Sequence, residues 1–295
     1  MLTRSGFISI VGRPNVGKST MLNKIVGQKV AIVSDKPQTT RNRIQGIFTN
    51  HRGQAIFVDT PGIHKPKHRL GQYMVDIASR TLREVDLILY VVDASVYMGA
   101  GEEYILKRIQ GIDTPIFLVP NKTDLVNEDS LESFVQAYTS QMHFAEIVPI
   151  SAAKGKNLPL LLDKVFDYLP EGPLYYPEDE ITDQPERFLV GEIIREKALR
   201  LTKEEVPHCL AVEIDDFEVR ANNKIYVRAT IYTERETQKG IIIGKNGSML
   251  KEIGALARRD IENLLGNSMY LELWVKVKKD WRNNEGQLRS FGYDR

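Results

Sequence analysis

One octapeptide restricts what this chain can fold into more than any other feature. Gly12-Arg13-Pro14-Asn15-Val16-Gly17-Lys18-Ser19 fits G-x-x-x-x-G-K-[ST] and follows the apolar run Phe7–Val11 directly. A turn of this kind works only between a strand and a helix, because its backbone N–H groups must converge on an anion that the helix N-terminus also attracts. Gly12 and Gly17 permit backbone conformations and a close approach that a Cβ would block. Lys18 is placed to reach the β- and γ-phosphates of a nucleotide, and the Ser19 hydroxyl to bind Mg²⁺. With glycine near 7% of residues, a chance match in a chain this long is roughly a one-in-a-hundred event. Here the flanking strand and helix patterns are also right.

The first 170 residues alternate short apolar runs with longer amphipathic stretches. The runs Phe7–Val11, Ala55–Val58, Leu87–Val92, Ile116–Val119 and Ile147–Ile150 are rich in Ile and Val, which suits strands buried on both faces of a parallel sheet. Helical patterning falls between them at Ser19–Val26, Gly71–Arg83, Glu102–Gln110, Ser130–Met142 and Leu158–Tyr168. Alternation of this kind predicts a doubly wound α/β domain, with Gln45–Thr49 added as an antiparallel edge strand. Pro170–Asp179 carries Pro170, Gly172, Pro173 and Pro177 and reads as a connector, with Tyr175 and Tyr176 suited to pack against a domain. The chain therefore divides into residues 1–170, a linker at 171–184 and residues 185–295.

Three further elements follow the phosphate loop in order. Asp59-Thr60-Pro61-Gly62 comes directly after the run Ala55–Val58, so that Asp59 can hold Mg²⁺ through water and the Gly62 N–H can meet a γ-phosphate, with Ile63 next in line. Asn121-Lys122-Thr123-Asp124 follows Ile116–Val119. The Asp124 carboxylate can accept two hydrogen bonds from guanine, at N1–H and the exocyclic amine, and adenine offers neither. A buried carboxylate left unpaired would make that rejection steep. Lys122 can lay its stem along the base, Asn121 can brace neighbouring loops, and a backbone N–H of Ser151-Ala152-Ala153 can meet guanine O6. Between the phosphate loop and Asp59 lies Pro37-Gln38-Thr39-Thr40-Arg41. A switch segment needs a hydroxyl that joins the Mg²⁺ shell only while the γ-phosphate is present, and Thr40 is the expected one, with Thr39 the alternative. Residues Ile63–Leu70, including Lys65, Lys67, His68 and Arg69, form the second expected mobile segment, its basic run reading as a solvated or partner-facing surface.

Bulk properties narrow the function by exclusion. The net charge is +1 and both halves are close to neutral, so any RNA contact must come from a local patch. Cys209 is the sole cysteine, which excludes an intrachain disulfide and reads as a small buried hydrophobe. No apolar run approaches the roughly 18 residues of a membrane span. A cleavable leader of roughly 15–30 residues would destroy the phosphate loop, so a cytoplasmic protein is expected.

After residue 184 the pattern changes to a helix at Arg187–Leu201, β-like segments at His208–Phe217 and Lys224–Tyr232, helices at Thr237–Ile243 and Ser248–Leu265, and a strand at Tyr270–Val277. Three strands with helices on one side predict a small α+β module. Gly244-Lys245-Asn246-Gly247 joins the helical pair inside Lys239–Lys251, a stretch with three lysines and no acid, and Ile241-Ile242-Ile243 would anchor the helix before it. A G-x-x-G turn so placed is the organisation of a KH module, in which an RNA backbone lies close against helix N-termini. Gly240, Ile243, Gly244, Lys245, Asn246, Gly247 and Lys251 are the candidate RNA contacts. Arg258, Arg259, Lys276, Lys278 and Lys279 each read equally as solvated charges, and Trp274 and Trp281 as packed residues.

The four nucleotide-site elements resemble, over residues 6–170, the translation-factor-like GTPases. The whole chain resembles the Era family of TrmE-Era-EngA-like bacterial ribosome-assembly GTPases, on Gly12–Thr20, Pro37–Arg41, Asp59–Gly62, Phe188–Glu196, Gly240–Gly247 and Leu271–Lys278. The resemblance implies an α/β P-loop GTPase domain followed by a type II KH domain, with GTP or GDP and Mg²⁺ as ligands. The implied partners are the 3′ end of 16S ribosomal RNA and the 30S subunit. It implies catalytic roles for Lys18, Thr40, Gly62 and Asn15, the last supporting K⁺ as a built-in positive charge, and it extends to peripheral association with the inner membrane. The chain is expected to act as a monomer. Ras-like enzymes place a water-orienting glutamine just after D-x-x-G, and Ile63 stands there instead, so slow intrinsic hydrolysis is expected. The rival reading is a signalling or membrane-associated GTPase whose C-terminal domain binds protein.

Overall fold

Helix and strand propensity resolve into eighteen named elements in the computed structural model, which describes residues 3–293 except Pro37, His64, Lys65, Lys67, Ala221 and Asn222. Contacts divide the chain into two units: Met1–Ala31, Thr40–Pro66 and Gly71–Asp183 in the first, and Ile32–Thr39, Lys67–Leu70 and Gln184–Arg295 in the second.

The first unit is built on β1 (Arg4–Val11), β2 (Ile44–Asn50), β3 (Gly53–Asp59), β4 (Leu87–Asp93), β5 (Ile116–Asn121) and β6 (Glu146–Ile147). They form one sheet in the order β2-β3-β1-β4-β5-β6. Only β2 runs antiparallel, against β3 at the sheet edge. The sequence runs for β3, β4 and β5 are apolar without alternation because both faces are covered: every residue of β3 and β5 is buried. The helices are α1 (Lys18–Val26), α2 (Arg69–Thr81), α3 (Ala100–Ile109), α4 (Glu128–Thr139) and α5 (Leu158–Tyr168). The last strand is shorter than its apolar run Ile147–Ile150 predicts. Val148 and Ile150 still donate to the carbonyls of Leu118 and Pro120, but the chain is already turning toward Ser151, and regular pairing ends. Because all parallel strands end on the same side, the loops after β1, β3 and β5 converge there, as open α/β sheets require.

The connector is tied to this unit by one buried amide. Gln54 Oε1 accepts from the backbone N–H of Tyr175 and Tyr176, both at 2.9 Å, and its Nε2 donates to the Tyr176 carbonyl at 3.0 Å. Tyr175 also packs its ring 5.0 Å from that of Phe7, and the Ile47 amide donates to the Ile181 carbonyl at 2.9 Å. The two tyrosines thus pack as the sequence suggests.

The second unit contains α6 (Glu186–Leu201), β7 (Ala211–Val219), β8 (Ile225–Thr233), α7 (Glu236–Ile243), α8 (Ser248–Leu265), β9 (Met269–Val277) and α9 (Glu285–Ser290). Its sheet has the order β7-β8-β9, with β7–β8 antiparallel and β8–β9 parallel. Val190, Ile193 and Ile194 of α6 share a core with Val227, Ala229 and Ile231 of the sheet and with Ile242, Ile253, Ala257 and Ile261 of α7 and α8. Helix α9 was not anticipated, although Asn284 followed by Gln287 carries the signature: the Asn284 side chain accepts from the Gln287 amide at 3.0 Å. Trp281 is fully buried and donates to the Cys209 carbonyl at 2.8 Å, and Cys209 is itself buried. Trp274, read as a core or partly packed residue, is not in the core. It is 53% exposed, because β9 alternates and Tyr270, Glu272, Trp274 and Lys276 take the side away from the helices. Among the described residues, no helix is long and apolar enough to cross a membrane.

Gln54→Ala should strand the buried amides of Tyr175 and Tyr176 and destabilise the first unit by about 1–3 kcal/mol. Urea denaturation, with limited proteolysis of residues 170–183 alongside, measures it. An unchanged midpoint and cleavage rate would refute the anchoring role.

Candidate functional site

The phosphate loop closes on itself as its glycines predict. Gly17 has φ 100°, and a Cβ there would sit 2.3 Å from Asn121 Nδ2, so both backbone conformation and space demand glycine. Lys18 is buried and donates to the carbonyls of Gly12 at 3.1 Å and Arg13 at 2.9 Å, which arches its ammonium across the loop. The Arg13 side chain leaves the loop and reaches both carboxylate oxygens of Glu102 at 2.9 Å, at the start of α3. Pro14 backs onto the Asp59–Gly62 turn, where a Cβ on Gly62 would lie 2.8 Å from Pro14 N. Asn15 is exposed at the loop tip with φ 69°, and Val16 is buried beneath it. Thr60 donates to the Ile10 carbonyl at 3.0 Å and so holds the turn together. Pro61 is buried beside it. Ile63, one of the expected nucleotide contacts, has its side chain 1% exposed and in the core with Val11, Ile88 and Tyr90.

Three oxygens meet at the mouth of this loop. Ser19 Oγ donates to Asp59 Oδ2 at 2.7 Å, Thr40 Oγ1 to the same oxygen at 3.3 Å, and the two hydroxyls lie 3.1 Å apart. Of the two candidate threonines it is Thr40 that joins them, while the Thr39 hydroxyl donates to the Lys36 carbonyl at 2.6 Å. Asp59 is fully buried, and its second oxygen, Oδ1, has no hydrogen-bond partner. Burial raises its carboxyl above the usual carboxylate range against the pull of Lys18, Ser19 and Thr40, and burial lowers the Lys18 ammonium. A buried acid oxygen left over beside two hydroxyls is a donor set that fits Mg²⁺. No cluster of three or more His, Cys, Asp or Glu suited to a metal occurs among the described residues. Of the second expected mobile segment, His64, Lys65 and Lys67 lie outside the described residues, as does Pro37 of the first.

The loops expected to read a base are organised by Asn121. Its buried amide donates to the Val16 carbonyl at 2.8 Å and accepts from the Ala152 N–H at 2.9 Å, tying the phosphate loop to the loop after β6. The Ala152 amide is therefore turned onto Asn121 and braces the two loops. Lys122 stands in the left-handed region at φ 64° and pairs with Asp93 at 2.5 Å. Asp93 was absent from the expected site and orients the lysine stem. Asp124 departs from the buried acid expected of it. It lies exposed in the short turn Thr123–Leu125, and the Ser151 hydroxyl, 2.5 Å away, holds its carboxyl below the usual range.

In the second unit, α7 ends at Gly244 (φ 72°) and α8 starts behind Gly247 (φ 77°), with Asn246 left-handed between them at φ 53°. Lys245 and Asn246 are exposed at the tip, Gly240 and Lys251 flank them on the surface, and Ile243 is partly buried against the core. The three isoleucines are not equivalent anchors: Ile242 is buried, but Ile241 is 48% exposed, because successive helical positions point in different directions. Ile241 thus adds an apolar wall beside the basic turn. Lys278 is placed over the rings of Phe291 at 4.5 Å and Tyr232 at 5.0 Å, which makes it part of the packing around Trp281. Arg258 lies 3.8 Å from Glu262, and Arg259 3.9 Å from Asp260.

A family described as "50S ribosome-binding GTPase" matches residues 7–122. The KH domain family matches residues 205–282. Two solved structures match along the full length. One is a variant of Era from Aquifex aeolicus bound to GDP.AlF4-, 44% identical over 99% of this chain and 100% of that one, with a TM-score of 0.96. The other is Era in complex with MgGDPNP and nucleotides 1506-1542 of 16S ribosomal RNA, again 44% identical over 99% and 100% of the two chains, with a TM-score of 0.96.

Gly17→Ala should displace Asn121 and weaken guanine-nucleotide binding by at least about tenfold, or 1.4 kcal/mol. Titration calorimetry with GDP reads this directly. Affinity equal to that of the parent chain would show that the close approach to Asn121 does not support the loop.

Proposed function

The chain belongs to the Era family of GTPases, and on that premise we propose that it uses GTP to govern its binding of 16S ribosomal RNA near the 3′ end during 30S subunit assembly. The observation that carries this reading is that one full-length likeness, at 44% identity, reaches both a protein with a GTP analogue and Mg²⁺ and the same protein with that RNA. The 50S ribosome-binding GTPase family is matched over residues 7–122 alone, so the full-length likeness is the stronger guide.

Ser19, Thr40 and Asp59 would hold Mg²⁺, and the ion when bound neutralises charge on the β- and γ-phosphates. The protein's own groups do the rest. Lys18 is already desolvated and needs only to exchange two carbonyl contacts for phosphate oxygens. The Gly62 backbone lies against Pro14 of the phosphate loop, and its N–H is assigned to the γ-phosphate. Asn121 and Ser151 set the loops that read the base, with Asp124 accepting from the guanine edge. Because Ile63 is committed to the core, no side chain there orients water, and hydrolysis by the isolated chain is slow. We assign Asn15, exposed at the loop tip, the support of a K⁺ ion. Turnover at matched ionic strength should then be faster in potassium than in sodium, and equal rates in the two salts would remove that assignment.

For RNA, the turn Gly244–Gly247 presents exposed Lys245 and Asn246 between two helix ends, with Lys251 beyond and Gly240 and Ile241 along one side. A phosphate backbone can approach such a turn closely because neither glycine carries a side chain. The two glycines make unequal tests. A Cβ on Gly244 would press 2.7 Å from Met249 Cβ and disturb α8, whereas nothing lies within 4 Å of one on Gly247. Gly247→Asp should therefore weaken binding of a 16S 3′-end fragment by about tenfold or more through charge repulsion, with GDP affinity unchanged. Fluorescence anisotropy with labelled RNA measures it, and undiminished RNA affinity would overturn the KH assignment.

A further inference from the structure

The outer face of the β7-β8-β9 sheet, turned away from α7 and α8, is covered at one end and open at the other. At the covered end Tyr232 is buried, its ring 5.0 Å from that of Phe291 just after α9, and Thr230 two residues along is fully buried. At the open end the chain leaves aromatic surface in solvent: Tyr270 is mostly exposed and Trp274 half exposed, both on β9. The rings there are ordered. Tyr226 and Tyr270 stand opposite each other in the parallel β8–β9 register and stack, with centroids 5.9 Å apart and planes 7° from parallel. The Tyr226 hydroxyl donates to one oxygen of Glu272 at 2.9 Å, and Trp274 Nε1 donates to the other at 2.7 Å. These bonds, that of Trp274 foremost, hold the Glu272 carboxyl below the usual range, so it stays charged while it fixes both rings. Side chains held this way lose little freedom when a partner covers them.

Charge sets what such a partner must bring. Strand β7 carries Glu213, Asp215, Asp216 and Glu218 and no base. Arg228 pairs with Asp216 at 3.3 Å, but Glu218, opposite Tyr226 in the β7–β8 register, is exposed and has no ion-pair partner among the described residues. A phosphate backbone would meet Glu218 and Glu272 as like charges, whereas sites for single-stranded nucleic acid join stacking rings to a positive groove. The chain itself shows which group these rings accept. The guanidinium of Arg220, the residue after β7, lies 4.6 Å from the centroid of the Tyr226 ring. With β8 between β7 and β9, Arg220 and Tyr270 flank Tyr226 from its two sides. Tyr270 is thus the outer ring of the row, on the edge strand.

We propose that the open end of this sheet face binds a partner protein through an extended, arginine-rich segment. One guanidinium stacks on Tyr270 as Arg220 stacks on Tyr226, another lies on Trp274, and Glu272 between the two rings accepts their charge. The spacing suits an extended chain. Tyr270, Glu272 and Trp274 are alternate residues of β9 and so recur about every 7 Å, which is also the repeat of alternate side chains in an extended segment. Because α7 and α8, with the Gly244–Gly247 turn between them, lie on the other side of the sheet, this face serves a partner distinct from the occupant of that turn.

The test titrates the full-length chain and its Tyr270→Ala, Tyr270→Phe and Glu218→Lys variants with two fluorescein-labelled probes, a peptide of Arg-Gly repeats and an oligouridylate, read by anisotropy. The peptide should bind the parent chain. Tyr270→Ala, which alters no charge, should weaken it by about fivefold, Glu218→Lys should weaken it also, and Tyr270→Phe should keep the parent affinity. Both positions are exposed, so the variants should unfold at the parent's midpoint. Tryptophan emission of the parent chain gives a second readout that needs no variant: it should move to shorter wavelength as the peptide covers Trp274, since Trp281 is already buried. Absence of peptide binding, or equal affinity in the parent and Tyr270→Ala, would overturn the proposal. Oligouridylate affinity that fell in Tyr270→Ala while the peptide failed to bind would assign the face to nucleic acid instead.

Discussion

The carboxamide of Asn121 is the joint on which the nucleotide site depends. It is buried at the end of β5, with one arm on the Val16 carbonyl and the other on the Ala152 amide. Three loops from different parts of the sequence are thus held in register by a single planar group. The geometry explains why Gly17 must lack a side chain, since any Cβ there would collide with this amide. A phosphate loop of correct sequence would still be mispositioned if β5 delivered a smaller residue at this point.

Around that joint the site is electrostatically unfinished. Lys18 and Asp59 are both buried, and burial disfavours the charged form of each. Their mutual attraction and the hydroxyls of Ser19 and Thr40 offset this only in part, since Asp59 Oδ1 has no partner. What completes such a site is a ligand bearing both signs, phosphate oxygens for the ammonium and a divalent cation for the carboxylate. A site complementary to the pair, and poor for either alone, links the metal to the nucleotide without a dedicated metal cage.

Much of this was legible in the sequence because the constraints are local. The phosphate loop, the Asp59–Gly62 turn and the Gly244–Gly247 turn are set by backbone requirements that only a few residue types meet, and uninterrupted apolar runs reveal strands covered on both faces. What escaped depended on neighbours distant in sequence. Asp93 matters through Lys122, and Ala152 through Asn121. The exposure of Trp274 and Ile241 follows from which side of β9 and α7 meets the core. The short β6 ends because the chain must turn into Ser151, a requirement of the site and not of Ile147–Ile150. Charges in the middle of α6 gave no hint from composition that they lie buried, since a helix with Arg, Glu and Lys in succession ordinarily faces solvent.

With Asp124 in its proposed role as reader of the base, its exposure determines how purine selection would work. In a carboxylate already stripped of water, the cost of staying unpaired is present before any base arrives, so that cost alone would not count against adenine. At the surface, held by Ser151, the acid keeps its hydration until a base covers it. Guanine would then replace that water with two donors in the same motion, while adenine would cover the carboxylate and offer neither, leaving it desolvated and unmatched. Discrimination arises only in the bound state, as a difference between two complexes. The holding bond from Ser151 gains a purpose from this: it fixes the direction of the carboxylate before the base arrives, so that guanine meets an acceptor pair already aimed at its edge.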